Sequence, residues 1–280
     1  MAREQHAAFA DRVDVSGFAR LAVFDGGRVK IVDTLAREQL ARIYGRSRWR
    51  DDVTGHRYHP VFTYLDLLFN KAHYFDKPIV HVEVLPLRRR MVAHLPEDER
   101  ERWLRLGRLS PELIAEPAVQ DILAGRGADL RLFQAQQLVT GAWNALVTAG
   151  ARLNMVSPDP GTHRWHHLLT VYADPDSVGD AEAGRRVAEQ LEAARVAWQA
   201  GDADAVNAAL AGLVEQLPGV NAETYPASFP LTVEAIYNAT SRFTIGFYVY
   251  LLAAVALMIA FAVGRRWLAM TGLGLLLLVF

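Results

Sequence analysis

Apolar positions recur with a helical period along much of this chain until residue 243, where the polar positions between them stop. From Phe243 to Val263 the sequence FTIGFYVYLLAAVALMIAFAV carries no charge and no proline. At about 1.5 Å per residue it reaches roughly 31 Å, the thickness of a bilayer's hydrocarbon core. Its Leu, Ile, Val and Phe residues favour insertion by roughly 3 to 7 kcal/mol. The competing assignment is a buried helix of a soluble core, which rarely runs this long without a polar face. A short basic turn, Gly264-Arg265-Arg266, leads into a second apolar run from Trp267 to Phe280. That run is about six residues short of a span. The expectation is a fragment of a longer multi-span protein, or a last piece that is re-entrant or interfacial.

The preceding region predicts a mainly α fold with little strand. Gly26-Gly27 marks a tight turn, and Val29, Ile31 and Val32 a brief extended piece. Asp33 or Thr34 is the expected cap of a helix whose apolar positions are Leu35, Leu40, Ile43 and Tyr44, with Gly45 at its C-terminal end. Pro60 to Asn70 reads as a helix, Ile79 to Val84 as a short strand or an extended entry, residues 111 to 124 as a weak helix and Leu130 to Leu153 as a strong one closed by SPDPG. Residues 1 to 20 read as a polar lead-in, and Arg88 to Arg90 as solvated surface, with contact to lipid headgroups as the alternative. Val187, Leu191, Ala194 and Trp198, then Val206, Leu210, Leu213 and Leu217, predict a helical hairpin turned at Gly201-Asp202. The domain plan is a helical soluble domain over 1–241, followed by a transmembrane helix and a truncated second one over 242–280.

Composition narrows the function classes. The net charge of −1 gives no basic field for nucleic acid. The absence of Cys excludes disulfides, thiolate metal sites, a Cys nucleophile and a CxxCH haem-attachment site within this chain. The positive-inside rule puts Arg265 and Arg266 in the cytoplasm and the large domain outside. Residues 1–14 have no apolar core of a signal sequence, so crossing needs an upstream start, or else the topology is reversed. Two histidine groups, His56 with His59 and His163 with His166 and His167, are candidate metal ligands. Pro60 and Gly161 place both at loop edges and no HExxH accompanies them, which favours structural histidines over a metal hydrolase. Asn238-Ala-Thr240 fits the N-glycosylation pattern, as a chance match beside the membrane.

Two separated stretches resemble one family. DGGRVKIVDTLARE, Asp25 to Glu38, is similar to the "dGRvkPlDTfAre" signature of system II cytochrome c biogenesis proteins, in which CcsA-like and ResB-like parts act together. TYPASFPLTVEAIYNATSRF, Thr224 to Phe243, resembles that family's "yP….l.lEv.YN…pF" leading into a transmembrane helix. The matching positions are Asp25, Gly27, Arg28, Lys30, Asp33, Thr34, Arg37, Glu234, Tyr237 and Asn238, to which the family pattern assigns no chemical role. Between them, LNMVSPDPGTHRWHHL and VAWQAGDADAVNAAL fall where the family has a proline turn followed by Trp and a helical hairpin. Ile31-Val32 stands where the family has Pro-Leu, and the tryptophan-rich haem signature is absent. The resemblance implies a bacterial inner-membrane protein with its large domain in the periplasm. It also implies haem handled by the whole complex rather than by this chain. The implied partners are membrane lipid, a ResB-like or CcsA-like membrane protein and apocytochrome c. The whole assembly would be a haem lyase, with no catalytic residue here. A membrane-anchored scaffold or sensor, binding a protein through the hairpin without haem, is the alternative from a different class.

Overall fold

The computed structural model describes residues 2–125, 129–150, 152–240 and 242–279. It divides into two compact units, one ending at Leu231 and one beginning at Thr232. The chain is mainly α, with three two-stranded antiparallel sheets among the described residues.

The first unit opens with α1 (Arg3–Arg12), where a polar lead-in was expected. The segment is charged on one side, but His6 and Phe9 are buried. The hairpin β1 (Ala22–Asp25) and β2 (Arg28–Ile31) runs without a break into α2 (Val32–Tyr44). No side chain caps α2: Ile31, the last strand residue, is its N-cap. The expected caps therefore sit two and three residues too late. Asp33 instead lies in the first turn, where its charge suits the helix dipole and pairs with Arg37 four residues on, at 2.7 Å. Gly45 ends the helix at φ 77°, in the left-handed region that glycine adopts without strain.

Next come α3 (Pro60–Phe69), with proline in its first turn, and β3 (Val80–His81), shorter than the expected strand. Helices α4 (Leu85–Met91) and α5 (Glu97–Leu106) lead to β4 (Arg108–Leu109), which pairs with β3. In α4, Arg88 is half-buried and donates to the Val82 carbonyl at 2.5 Å, so one member of the basic triplet is structural. The weak helix splits into α6 (Pro111–Ala115) and α7 (Pro117–Ala124), because Pro117 forces Glu116 into an extended conformation. Helix α8 (Leu130–Val147) stops short of Leu153. Asn154–Val156 forms β5, paired with β6 (His166–His167), so SPDPG lies between two strands and does not end a helix.

A short α9 (Leu168–Ala173) precedes the long hairpin α10 (Ala181–Ala200) and α11 (Ala203–Gln216). Gly201 closes α10 at φ 72°, and the Asp202 carboxylate accepts from the Asp204 and Ala205 amides, both at 3.1 Å. All eight stripe residues are buried. Each Val or Leu among them contributes about 1.5–3 kcal/mol by leaving water. The stripes join a single core in which Trp198 meets Phe62 and Phe9 at ring-centroid distances of 5.0 and 5.5 Å.

Helix α12 (Ser228–Ala239) contains the boundary between the units. The second unit is a helical pair, α13 (Arg242–Val263) and α14 (Arg266–Val279), turned at Gly264, φ 68°. Gly246–Val263 has a mean hydropathy of 2.3 and is long and apolar enough to cross a membrane. Little of it is covered within this chain: Phe247, Leu252, Met258 and Phe261 are all exposed, Phe261 at 94 %. Ala253 and Ala260 are buried where α14 packs. A Cβ on Gly272 would stand 2.7 Å from Leu257 Cγ and 3.1 Å from the Ala253 carbonyl oxygen, so the pair approaches through small residues as membrane helices do.

Candidate functional site

Of the residues that carry the family resemblance, Asp25, Gly27, Arg28 and Lys30 lie on the β1–β2 hairpin, and Asp33, Thr34 and Arg37 on the helix that follows it. Asp25 faces Arg28 across a two-residue turn whose glycines stand at φ 62° and 81°, the left-handed pair that matches strand twist. Lys30 is turned inward. Its ammonium donates to Asp25 Oδ2 at 2.9 Å and to Glu38 Oε2 at 2.6 Å. Arg28 pairs with the other Glu38 oxygen at 3.3 Å, and Arg152 with the other Asp25 oxygen at 2.8 Å. Burial pushes the Asp25 carboxyl up, but Lys30 and Arg152 outweigh it and hold it below the usual carboxylate range. Asp25, Arg28 and Lys30 thus form one ion network with Glu38 and Arg152, clamping the hairpin to α2 and to the start of β5. Asp33 and Arg37 form a separate pair, and Thr34 lies in the first turn of α2. Glu234, Tyr237 and Asn238 lie on α12 in the second unit.

Beside the hairpin runs an open groove of about 570 Å³. Phe24 and Trp165 stack along it at 6.1 Å with planes 10° apart, Pro158 and Pro226 add apolar surface, and exposed Val29 and His163 stand on its rim. Its walls are tied by polar groups far apart in sequence. The Ala22 amide donates to the Tyr225 hydroxyl at 3.0 Å, the Asn154 amide to the Phe24 carbonyl at 3.2 Å, and the Thr224 hydroxyl to the Pro158 carbonyl at 2.6 Å. Asn221 and Ser157 exchange two further bonds. Asp159 accepts from the Gly179 amide at 3.0 Å and meets His166 Nε2 at 2.9 Å. Burial raises the Asp159 carboxyl, yet the Gly179 amide, Asn221 and His166 together bring it below the usual range. The groove therefore unites residues from three stretches, the hairpin, the SPDPG–Trp165 turn and the Thr224–Pro226 run. Its chemistry is that of an open, largely apolar trough with hydroxyl and imidazole groups on the rim.

Two members of the histidine clusters serve the backbone. His59 and His167 cap α3 and α9, their Nδ1 atoms accepting from the Val61 and Leu169 amides. His167 Nε2 binds the Gly150 carbonyl at 3.0 Å, and His56 lies 3.5 Å from Asp11. Among the described residues no group of three or more His, Asp or Glu is placed to hold a metal ion.

One polar cluster escaped the sequence reading. His6 and Asp66 are completely buried, with Nε2 to Oδ2 at 2.7 Å. Trp198 Nε1 donates to the other Asp66 oxygen at 2.7 Å, and His6 Nδ1 meets the Tyr58 hydroxyl at 3.1 Å. His73 stacks on His6 at 3.7 Å, and burial with the neighbouring His6 and Lys77 lowers its pKa to about 4. The cluster pins α1, α3 and α10 together. Its one local signal was an acid, Asp66, inside the apolar helix PVFTYLDLLF. No protein-family model matches this chain, and no curated protein matches it either.

Proposed function

We propose that this chain is the extracytoplasmic domain and first membrane helix of a system II-type cytochrome c biogenesis protein, and that its groove holds an extended segment of apocytochrome c or of a membrane partner. The observation that carries this reading is convergence. Stretches that resemble the family signature, separated by more than a hundred residues in sequence, tie and line one groove, and the chain then enters a helix of membrane-spanning length. In this reading the large unit faces the periplasm, and Arg265 and Arg266 stay in the cytoplasm. Haem is handled by the rest of the complex, and the groove contributes position. Stacked Phe24 and Trp165, backed by prolines, offer a preorganised surface that loses little entropy on binding. The scaffold alternative draws less support, because both stripes of the α10–α11 hairpin are spent in the domain's own core.

The test is genetic and biochemical. Removal of the chain from its bacterium is expected to abolish covalently haem-stained c-type cytochromes. Trp165→Ala, at a half-buried position, is expected to lower them several-fold while the protein accumulates normally. Full cytochrome content in the deletion strain would refute the reading and leave the scaffold alternative standing.

A further inference from the structure

A second cavity, of about 520 Å³, opens on a different part of the first unit, between the C-terminal end of α2, the 50–55 loop and β4. Three guanidinium groups line it: Arg46, Arg50 and Arg108. Among the described residues none of the three has a carboxylate within ion-pair distance. Two acids share the lining, but both are committed elsewhere. Asp51 is buried and accepts from Arg3 at 3.0 Å and from the Val53 and Thr54 amides at 2.9 and 2.7 Å. Asp52 pairs with Arg3 at 2.8 Å and with Arg102 at 3.6 Å.

Arg108 is held rather than free. Its Nε donates to the Tyr44 carbonyl at 2.9 Å and its guanidinium lies 3.9 Å over the Tyr44 ring. Its two terminal nitrogens have no acceptor among the described residues. Arg50 is likewise anchored through Nε to the Gly55 carbonyl at 3.2 Å. Two forks are thus fixed at their stems, and Arg46 is exposed beside them. Positive charge therefore predominates, because the two lining carboxylates already hold Arg3 and Arg102. Burial, opposed by Tyr44 and aided by the Arg46 charge, holds Arg108 below its ordinary value, and the imidazole of the nearby His81 is lowered by burial and then by Arg108. Neighbouring cations held without a counter-charge in a polar cavity are the arrangement that an oxyanion relieves, since guanidinium forks match its oxygens in pairs. A single carboxylate would leave most of the charge unbalanced, whereas a phosphoryl group carries up to two negative charges.

We infer that Arg46, Arg50 and Arg108 form a binding site for a phosphate-bearing ligand. The site shares no lining residue with the groove and stands or falls separately from it. The ligand is either a soluble phosphate ester or the headgroup of an anionic lipid, and both present the same chemistry to the forks.

The probe is inorganic pyrophosphate, titrated calorimetrically into the full chain in a neutral maltoside detergent. Saturable binding is expected, weakening as salt rises. Arg46→Gln and Arg50→Gln, both at exposed positions, should each weaken it about tenfold, because each removes charge-assisted bonds. Arg108→Lys, which keeps the charge but loses the fork, should weaken it as well. The remote exposed Arg185→Gln should leave it unchanged. Repeating the titration in nanodiscs separates the sources. Pyrophosphate binding that is lost in phosphatidylglycerol discs and retained in phosphatidylcholine discs assigns the lipid headgroup, and equal binding in both assigns a soluble ester. No binding by the unsubstituted protein in detergent or in phosphatidylcholine, or binding indifferent to both Gln substitutions, overturns the inference.

Discussion

Lys30→Met tests whether the charges of the hairpin are structural. The ammonium has a side-chain exposure of 4 %, Asp25 of 10 % and Glu38 of 44 %. Removing one partner of a fully buried ion pair costs about 3–5 kcal/mol, because the other charge is stranded. Here the cost is smaller. Asp25 keeps Arg152 at 2.8 Å, and the more exposed Glu38 keeps Arg28 at 3.3 Å and is partly screened by water. Methionine fills the same channel with nearly the same length. A loss of about 2 kcal/mol remains, which for a unit of this size lowers Tm by about 4–8 °C. The assay is thermal unfolding of the full chain followed by circular dichroism, in neutral detergent. The sign with pH follows from Asp25, whose folded pKa lies below its ordinary 3.8. Its contribution is complete above that value and lost as pH falls through the lower folded value, so the gap between variant and parent should narrow in acid. A double-mutant cycle with Asp25→Asn should return about 1–2 kcal/mol of coupling. The reasoning fails if Lys30→Met melts within about 1 °C of the parent, since Lys30 would then not act as a clamp.

Other outcomes follow from the same geometry. Asp66→Ala should destabilise the first unit by about 3–5 kcal/mol in denaturant titration, since it strands the Trp198 N–H and His6 in a dry interior; a loss under about 1 kcal/mol would contradict the assigned burial. His73, with a folded pKa of about 4 against an ordinary 6.5, contributes stability that is complete above pH 6.5 and lost as pH falls toward 4. His73→Gln should therefore flatten the dependence of Tm on pH across that window, and an unchanged slope would count against it. Gly272→Leu should drive α14 away from α13, because the new side chain starts 2.7 Å from Leu257 Cγ. Thermal unfolding in neutral detergent, followed by circular dichroism, reports the change as a lower melting temperature of the helical pair, and unaltered melting would refute the close packing.

The sequence by itself determined those features whose physics is local. The stripes of α10 and α11, the left-handed glycines at 45 and 201, the proline opening α3 and the apolar length of α13 are each set by neighbours a few residues away, and each was legible. Where local signals misled, a distant partner had intervened. Phe9 and His6 turn a polar lead-in into a packed helix, and the pairing of β5 with β6 ends α8 early. The groove, the His6–Asp66–Trp198 pin and the arginine cavity belong to tertiary structure alone. Asp66 meets a tryptophan 132 residues away, Ala22 a tyrosine 203 residues away, and Arg108 the carbonyl of a residue 64 earlier. A side chain's charge and shape are written at its own position, but what neutralises, buries or faces it is decided only when remote segments close on one core.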